Sequence, residues 1–294
     1  MKRLVVIAGA TGSGKTDVSI RLAQRLNAPI ISTDSRQIYR DLPIGTAQPT
    51  AEQLAAAEHH FIATHELTEN FSCGQFEVQA LALLENLFKQ HDIVIAVGGS
   101  GLYIKALCEG MDDLPEVDEE LRKSINDRLK NDGIDSLLEE LKRIDPEYYE
   151  QVDRKNPSRV LRAVEVSLQT GVPYSSLRTG KRHARNFEII KVGIEMDRET
   201  LYDRINRRVD AMVAEGLEEE ARKVYPLRDL NSLQTVGYRE FFDFFDGLTD
   251  RETAIELIKR NSRRYAKRQM TWFRRDSDIN WLSPEEIINF IEFR

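Results

Sequence analysis

The sequence contains little cysteine and no long apolar run. Cys73 and Cys108 are its only cysteines, and their spacing forms no metal-binding pattern, so we expect both to be reduced, partly buried thiols. No apolar stretch approaches the roughly 20 residues that a membrane helix needs, and the first residues lack the apolar core of a signal peptide. We therefore expect a cytoplasmic protein without a membrane partner.

Positive charge is also in deficit, because the net charge is −7, which by itself argues against nucleic acid as a partner. The charges are unevenly spread, however. Residues 112–153 hold 15 acidic and 6 basic side chains, whereas residues 154–208 hold 13 basic and 6 acidic, and residues 259–275 hold 8 basic and none acidic. The two basic segments can form one positive face, although two ordinary solvated helical faces explain the same charges equally well.

The sequence has no internal repeat and no low-complexity segment, but it has a phosphate-binding motif near its start. The pattern G-x-x-x-x-G-K-[ST] is formed by Gly9, Ala10, Thr11, Gly12, Ser13, Gly14, Lys15 and Thr16. An apolar run at residues 4–8 precedes it, and apolar residues at helical spacing follow it, as a strand–loop–helix unit requires. The loop amides and the helix N-terminus bind an anion, Lys15 adds a cation, and the Thr16 hydroxyl is suited to Mg²⁺.

Alternating strand and helix patterns predict the fold class. Buried strands are predicted at residues 4–8, 29–34 and 93–97, and helical patterns lie between them. The 294 residues, 41% of them hydrophobic, are sufficient for a sizeable core. The sequence therefore predicts an α/β protein, a P-loop NTPase-like doubly wound parallel sheet whose ligands lie beyond the carboxyl ends of the strands.

The middle of the chain has no strand signal, which predicts an inserted helical domain. We expect a first part of the α/β core at residues 1–112, a helical insertion at 113–186, and the second part of the core, with basic C-terminal helices, at 187–294. The further elements expected are helices at 51–58, 76–90, 121–130, 134–144, 146–151, 158–170, 198–215, 218–225 and 251–275, strands at 61–63 and 188–196, and a strand and helix within 279–294.

An acidic residue is missing where P-loop ATPases and GTPases usually carry one, at the end of a core strand. The strand at residues 93–97 is followed by Gly98, Gly99 and Ser100 instead. The acid nearest the loop is Asp34, at the end of the second predicted strand. Its carboxylate is suited to hold Mg²⁺ or to act as a general base, and an Asx turn explains the same residue structurally.

Several motifs, taken in order, resemble the tRNA dimethylallyltransferase family. They begin with Asp-Ser-Arg-Gln at residues 34–37 and Gly-Gly-Ser-Gly at 98–101. Further matches are Arg-Val-Leu-Arg at 159–162, Gly-Tyr-Arg-Glu at 237–240 and Lys-Arg-Gln-Met-Thr-Trp at 267–272. The resemblance runs from residue 9 to residue 274. Its departures are small, since Ser100 replaces a more frequent Thr and Gln48 a frequent Lys.

The resemblance implies transfer of a dimethylallyl group from dimethylallyl diphosphate to the exocyclic amine of the adenosine 3′ to the anticodon. The implied partners are the anticodon stem-loop of tRNA, dimethylallyl diphosphate and Mg²⁺, with Thr16 as metal ligand, and a monomer is expected. Asp34 would accept the proton of the adenosine amine or orient it, and Ser100 would hydrogen-bond the same base. Arg204 and Arg208, at i, i+4 on one helix, would close over the diphosphate, unless they form a solvated face.

The same resemblance implies a set of RNA-contacting residues. They are Asp34, Ser35, Arg36, Gln37, Ser100, Ser158, Arg159, Val160, Leu161, Arg162, Gly237, Tyr238, Arg239, Lys267, Arg268, Gln269, Trp272 and Arg274. Tyr238, Trp272 and Phe273 are candidates to stack on bases, although such aromatics more often belong to a core. A P-loop small-molecule kinase is the alternative function, and a non-catalytic RNA-binding module is the third.

Overall fold

The computed structural model describes residues 1–112, 114–180 and 182–293, and its centre is a parallel sheet. The strands of this sheet are β1 (Arg3–Ala8), β2 (Ile30–Ser32), β3 (His59–His60), β4 (Ile93–Gly98), β5 (Glu188–Ile194) and β6 (Asn280–Leu282). They lie in the order β3-β2-β4-β1-β5-β6, and every pairing is parallel. The strand that leads into the phosphate loop, β1, is therefore flanked on both sides.

Thirteen α-helices surround the sheet or form the middle of the chain, within the same described ranges. They are α1 (Lys15–Leu26), α2 (Ala51–Ala56), α3 (Cys73–Leu87), α4 (Gly101–Glu109), α5 (Glu119–Ile144), α6 (Pro146–Gln151), α7 (Pro157–Thr170), α8 (Tyr174–Leu177), α9 (Arg198–Ala214), α10 (Leu217–Val224), α11 (Tyr238–Phe245), α12 (Arg251–Phe273) and α13 (Pro284–Glu292). None of those described is long and apolar enough to cross a membrane.

The side chains of β1 alternate between two apolar cores, as the period of a strand requires. Leu4 and Val6 belong to a core that also includes residues of α3, α4, α11 and α12. Val5 and Ile7 belong to the opposite core, with residues of α1 and α13. Helices thus cover both faces of the sheet, and the predicted doubly wound α/β fold is confirmed.

The chain divides into two compact units. The first consists of residues 1–109 and 184–294 and contains the sheet, and the second consists of residues 110–183. The second unit is helical and has its own core, which includes Ile125, Leu137 and Val160. Its buried Asp145 accepts hydrogen bonds from the backbone N–H groups of Tyr148 and Ser175 and thereby joins α6 to α8.

Local backbone conformation accounts for the differences from the predicted elements. The strand expected at residues 61–63 is wrong, because Phe61 and Ala63 have φ values of 60° and 51° and the short strand lies at His59–His60 instead. The helices expected at 121–130 and 134–144 form one element, α5, interrupted by non-helical Gly133. The sequence pattern missed α4, α8 and α11.

Candidate active site

The phosphate loop lies between β1 and α1 with its glycines in the conformation that such a loop needs. Gly12 and Gly14 have φ values of 80° and 89°, a left-handed region that strains other residues. The ammonium of Lys15 donates to the carbonyl of Ala10 over 2.6 Å. The hydroxyl of Ser13 is buried and has no hydrogen-bond partner within the described residues. The loop is therefore already folded and retains an unpaired polar group, as expected of a cradle for an anion.

Two arginines of α9 approach the loop from the other side. Arg208 Nη1 lies 3.3 Å from Thr11 Oγ1, in a hydrogen bond that it donates. Arg204 lies against Gly14, where an added Cβ would come within 3.2 Å of its Nη2 atom. The i, i+4 spacing on one helix thus brings both guanidinium groups to the phosphate loop.

The positive charges around the loop perturb one another. Burial, and to a smaller extent the Arg208 guanidinium, lowers the pKa of Lys15 to about 7, while the Asp34 carboxylate opposes the shift. Burial also lowers the pKa of Arg208, which Asp34 raises and Arg204 lowers. A bound anion would relieve this repulsion, so the electrostatics favour an anionic ligand at the loop.

Asp34 and Ser100 lie close together at the carboxyl edge of the sheet. Asp34 Oδ1 accepts hydrogen bonds from the backbone N–H groups of Arg36 at 2.9 Å and Gln37 at 3.4 Å, which is an Asx turn. Ser100 Oγ accepts from the Ser35 N–H at 3.0 Å and donates to Ser35 Oγ at 3.2 Å. Within the described residues, Asp34 Oδ2 accepts no hydrogen bond, so one carboxylate oxygen is left for a ligand.

The phosphate loop, the arginines and Asp34 line one cavity of about 410 Å³ in the first unit. Its apolar wall is formed by Ile205, Val209, Met212, Leu217, Val236 and Ile258, and Ile205 lies directly beside Gly12 of the loop. Helix α9 contributes to both parts, because residues 204, 205, 208, 209 and 212 share one helical face. The cavity therefore has a cationic part for an anion and an apolar part for a small hydrocarbon group.

A buried carboxylate holds the segment at residues 44–47, which also lines the cavity. Glu220 accepts hydrogen bonds from the backbone N–H groups of Ile44 and Gly45, each at 2.8 Å, and from the Tyr238 hydroxyl at 2.6 Å. A Cβ at residue 45 would lie 2.4 Å from that hydroxyl, so only glycine fits there. This contact fixes the cavity wall and also determines where Tyr238 lies.

Not all of the residues expected to contact RNA have accessible side chains. Tyr238 and Val160 are fully buried, Phe273 is 2% exposed and Gln269 is 6% exposed. Their side chains pack inside the protein, so we no longer assign stacking on bases to Tyr238 or Phe273. Gly237 is also buried, and its N–H donates to Glu240.

Other residues of that set are accessible. The exposed ones are Ser158, Arg159, Arg239, Lys267, Arg268, Trp272 and Arg274, with Leu161, Arg162, Ser35, Arg36 and Gln37 partly so. Some of these have protein partners, since Arg36 donates to the Asn231 carbonyl and Gln37 to the Thr46 and Ala47 carbonyls. In the second unit, Arg162 donates to the Pro115 carbonyl and pairs with Glu165.

Sequence reasoning missed the apolar wall and two polar residues near it. Met212 and Val209 repeat at helical spacing from the arginines of α9, and that signal was present in the sequence. Tyr265 lines the cavity. Burial, and to a smaller extent the negative charge of Asp34, raises the pKa of its hydroxyl to about 12. Nothing in the local sequence of Tyr265 or Glu220 shows that either side chain belongs to this region.

The fold and the loop together define a class, the α/β proteins with a P-loop-like phosphate site. Comparisons with known proteins narrow it. The family model described as IPP transferase matches residues 37–276. A tRNA dimethylallyltransferase 1 from Bacteroides fragilis is 50% identical, with 99% of this chain and 98% of the relative covered. The chain belongs to the IPP transferase family.

Further relatives agree with this assignment. A tRNA dimethylallyltransferase 1 from Phocaeicola vulgatus is 51% identical over 99% of this chain and 97% of its own length. The crystal structure of a tRNA isopentenylpyrophosphate transferase from Bacillus halodurans matches with a TM-score of 0.72 and 39% identity, covering 99% of this chain and 96% of that one. A eukaryotic dimethylallyltransferase acting on tRNA matches with a TM-score of 0.77 and 27% identity over 97% and 74%.

Proposed function

We propose that this protein transfers the dimethylallyl group of dimethylallyl diphosphate to the exocyclic N6 of an adenosine in tRNA. The adenosine is the one 3′ to the anticodon in tRNAs that read codons beginning with U. The observation that carries the proposal is the cavity that combines a phosphate loop, an apolar wall and Asp34. A prenyl diphosphate has the same two parts, an anionic head and a short hydrocarbon tail, and the full-length relatives are tRNA dimethylallyltransferases by name.

The diphosphate would lie in the phosphate loop, bound by residues 9–16 and by Arg204 and Arg208. The amides of the loop and the three cationic side chains stabilise the negative charge that develops on the leaving group. Val209, Met212 and Ile258 would contact the dimethylallyl group and keep water away from its reactive carbon. The apolar wall thereby favours transfer to the nucleobase over hydrolysis.

The residues of the cavity fit Mg²⁺, which prefers hard oxygen ligands and usually keeps water and substrate phosphate among them. Thr16 and Asp34 both line the cavity and offer a hydroxyl and a carboxylate oxygen, and the Ser13 hydroxyl is unpaired. When bound, the ion would neutralise part of the charge on the diphosphate. We propose Thr16 as a ligand, with Asp34 as the second candidate.

In the transfer itself, the N6 lone pair forms a bond to C1 of the dimethylallyl group while the bond from C1 to the diphosphate oxygen breaks. The diphosphate leaves with the electron pair of that bond. The nitrogen gains a positive charge and must lose a proton, which Asp34 Oδ2 is available to accept. Ser100 is held beside Asp34 through Ser35 and would hydrogen-bond the same base.

The target base must leave its stack in the RNA to enter the cavity. On the RNA side, the exposed Arg239, Lys267, Arg268 and Arg274 of the first unit would contact phosphates, and so would Ser158, Arg159 and Arg162 of the second, whereas the apolar Leu161 would pack against a ribose or a base. Trp272 is 38% exposed and is our candidate to stack on an unpaired base. Ser35, Arg36 and Gln37, beside Asp34, would contact the nucleotide that carries the target base.

One experiment tests the proposal against a small-molecule kinase. The protein is incubated with Mg²⁺ and unmodified tRNA, once with radiolabelled dimethylallyl diphosphate and once with ATP labelled on its γ-phosphate. We expect label from the prenyl donor to enter tRNA, and light scattering to report a monomer. Transfer of the phosphoryl label to a small acceptor, with no prenylated tRNA, would support the kinase instead.

A further inference from the structure

Gln269 of α12 is held by two hydrogen bonds that join the phosphate loop to the end of β4. Its Oε1 atom accepts from the backbone N–H of Thr11, and its Nε2 atom donates to the carbonyl of Gly99, each at 2.9 Å. The reversed amide would set donor against donor and acceptor against acceptor, so the partners fix its orientation. The residue also lines the cavity, but with 6% exposure it does not belong to the exposed face of α12 that carries Lys267, Arg268 and Trp272.

Gln269 lies so close to the end of β4 that residue 99 has no room for a side chain. A Cβ at residue 99 would lie 2.2 Å from Gln269 Nε2, so the glycine allows the amide to come close to the strand end. This is the edge of the sheet at which the acid of ordinary P-loop NTPases is missing from the sequence. Here a side chain from a distant helix links the two strand ends instead.

The same helix carries residues that face in opposite directions. Lys267, Arg268 and Trp272 are exposed, whereas Gln269 is buried, and Ala266 packs in a core cluster with Ala10 of the phosphate loop. Arg268, on the exposed face, directly precedes Gln269, whose side chain holds the Thr11 amide. Any shift of α12 on RNA binding acts on the loop through this bond.

The link reaches the arginines as well. Thr11 accepts a hydrogen bond from Arg208 through its hydroxyl while its amide donates to Gln269. The position of one loop residue thus depends on both α12 and α9. Gln269 and Arg208 therefore both contact Thr11 directly, one at its amide and the other at its hydroxyl.

We propose that Gln269 is a positioning residue that couples RNA docking on α12 to the geometry of the diphosphate site. The proposal rests on the proposed function, since it takes tRNA and a diphosphate as the two ligands. It predicts that each ligand strengthens binding of the other by the same factor, because equilibrium coupling is reciprocal. We expect a factor of about five or more in the wild-type protein.

The test measures the Kd of inorganic diphosphate with Mg²⁺, with and without a saturating unmodified anticodon stem-loop. In Gln269→Leu the coupling factor should fall to near one. In Gln269→Glu, which keeps the acceptor for the Thr11 N–H but loses the donor to the Gly99 carbonyl, it should fall partway. Binding of the stem-loop alone should be unchanged in both, because the exposed residues of α12 remain.

A matched control separates coupling from packing. Asn261 is also an amide of α12, and its Nδ2 donates to Glu240 rather than to the phosphate loop. Asn261→Leu should lower thermal stability about as much as Gln269→Leu and keep the wild-type coupling factor. If Gln269→Leu does not fold, Gln269→Glu provides the same comparison.

Three results would count against the proposal. Diphosphate affinity that ignores the stem-loop in the wild type would overturn it, and so would full coupling in both Gln269 variants or equal loss of coupling in Asn261→Leu. Prenyl transfer from a labelled donor to tRNA is measured in parallel. Wild-type transfer without coupling overturns the role of Gln269 alone, whereas absence of transfer overturns the proposed function.

Discussion

At the scale of single residues, the charge of Lys15 depends on whether an anion is bound. Its pKa of about 7 in the free protein means that much of it is neutral at pH 8. A bound diphosphate favours the ammonium and raises this pKa. At a pH between the pKa of Lys15 in the free protein and its pKa in the complex, Lys15 is neutral in the free protein and protonated in the complex. Binding therefore takes up a proton, and affinity falls as the pH rises above about 7.

We predict that calorimetric titration of the protein with dimethylallyl diphosphate at pH 8 gives binding enthalpies that differ between two buffers of unequal ionisation enthalpy. The difference should correspond to uptake of roughly one proton and should disappear near pH 6. Lys15→Met provides the baseline for protons exchanged by the ligand itself. Equal enthalpies in both buffers, for the wild type at pH 8, would show that Lys15 is already charged.

Asp34 has two candidate roles, which respond differently to Mg²⁺. If it accepts the N6 proton, Asp34→Asn lowers turnover by roughly 10²–10⁴-fold at every Mg²⁺ concentration, since the amide is a poor base. If it holds the ion, excess Mg²⁺ restores part of the rate. Turnover of the variant across a Mg²⁺ titration decides between these roles, with Kd values for tRNA and donor measured to check that binding persists.

The sequence pattern alone placed the phosphate loop, Asp34 and Ser100 at strand ends, and the family resemblance added the two arginines, which share one face of a helix. They did not indicate burial. Tyr238 and Gln269 belong to motifs that resemble RNA-contacting segments, yet the side chains of both are enclosed. Whether a polar residue of an amphipathic helix faces solvent depends on partners that are distant in the chain, as Glu220 and Thr11 are here.

At the scale of elements, α10 supports the cavity wall through Glu220. The predicted helix at 218–225 agrees closely with the observed Leu217–Val224, but the sequence did not predict that this helix supports the cavity. A carboxylate with 7% exposure, in contact with two backbone N–H groups and a phenol, stabilises a segment that has no regular structure of its own. Side chains from α10 and α11 thus determine the shape of the cavity at residues 44–47.

We predict that Tyr238→Phe lowers the free energy of unfolding by about 1.5–3 kcal/mol, because it removes a buried hydrogen bond to a carboxylate. Urea denaturation measures this change. The Kd for tRNA should stay at the wild-type value, since the ring does not reach the surface. A variant of normal stability that binds tRNA weakly would instead restore Tyr238 to the RNA interface.

For Trp272 of α12, in contrast to Tyr238 of α11, we expect substitution to weaken tRNA binding. Its ring lies over Gly101, where an added Cβ would come within 2.2 Å of it, and 38% of the residue is exposed. Trp272→Ala should weaken tRNA binding by about 1–3 kcal/mol, the usual contribution of one stacked base, as measured by filter binding. An unchanged Kd for tRNA would assign the ring to packing alone.

At the scale of the whole molecule, negative net charge and RNA binding are compatible only if basic residues are gathered on particular surfaces. The sequence predicted the α/β class correctly, and the gathering of its two basic segments on one surface stays a prediction. It left the extents of several elements open, because short buried strands such as β2 and β3 have too few residues to show a period.

We predict that Arg159→Ala and Arg268→Ala each reduce the slope of log K against log salt concentration by about 0.7–0.9, since each removes one phosphate contact. Arg159 lies on α7 and Arg268 on α12, and both are exposed. Arg143→Ala, an exposed arginine of the second unit that pairs with Glu140, is the charge-matched control and should leave the slope unchanged. Equal slopes in all three variants would place the RNA footprint elsewhere.

The split of the first unit into residues 1–109 and 184–294 has a consequence during synthesis on the ribosome. Strand β1 is complete early, but its partner β5 emerges only after the whole second unit. That unit has its own core and is able to fold first, while the central strand waits with one edge unpaired. An open parallel edge is prone to pairing with another chain. The nascent chain is therefore most open to mispairing while residues 110 to 194 are being synthesised.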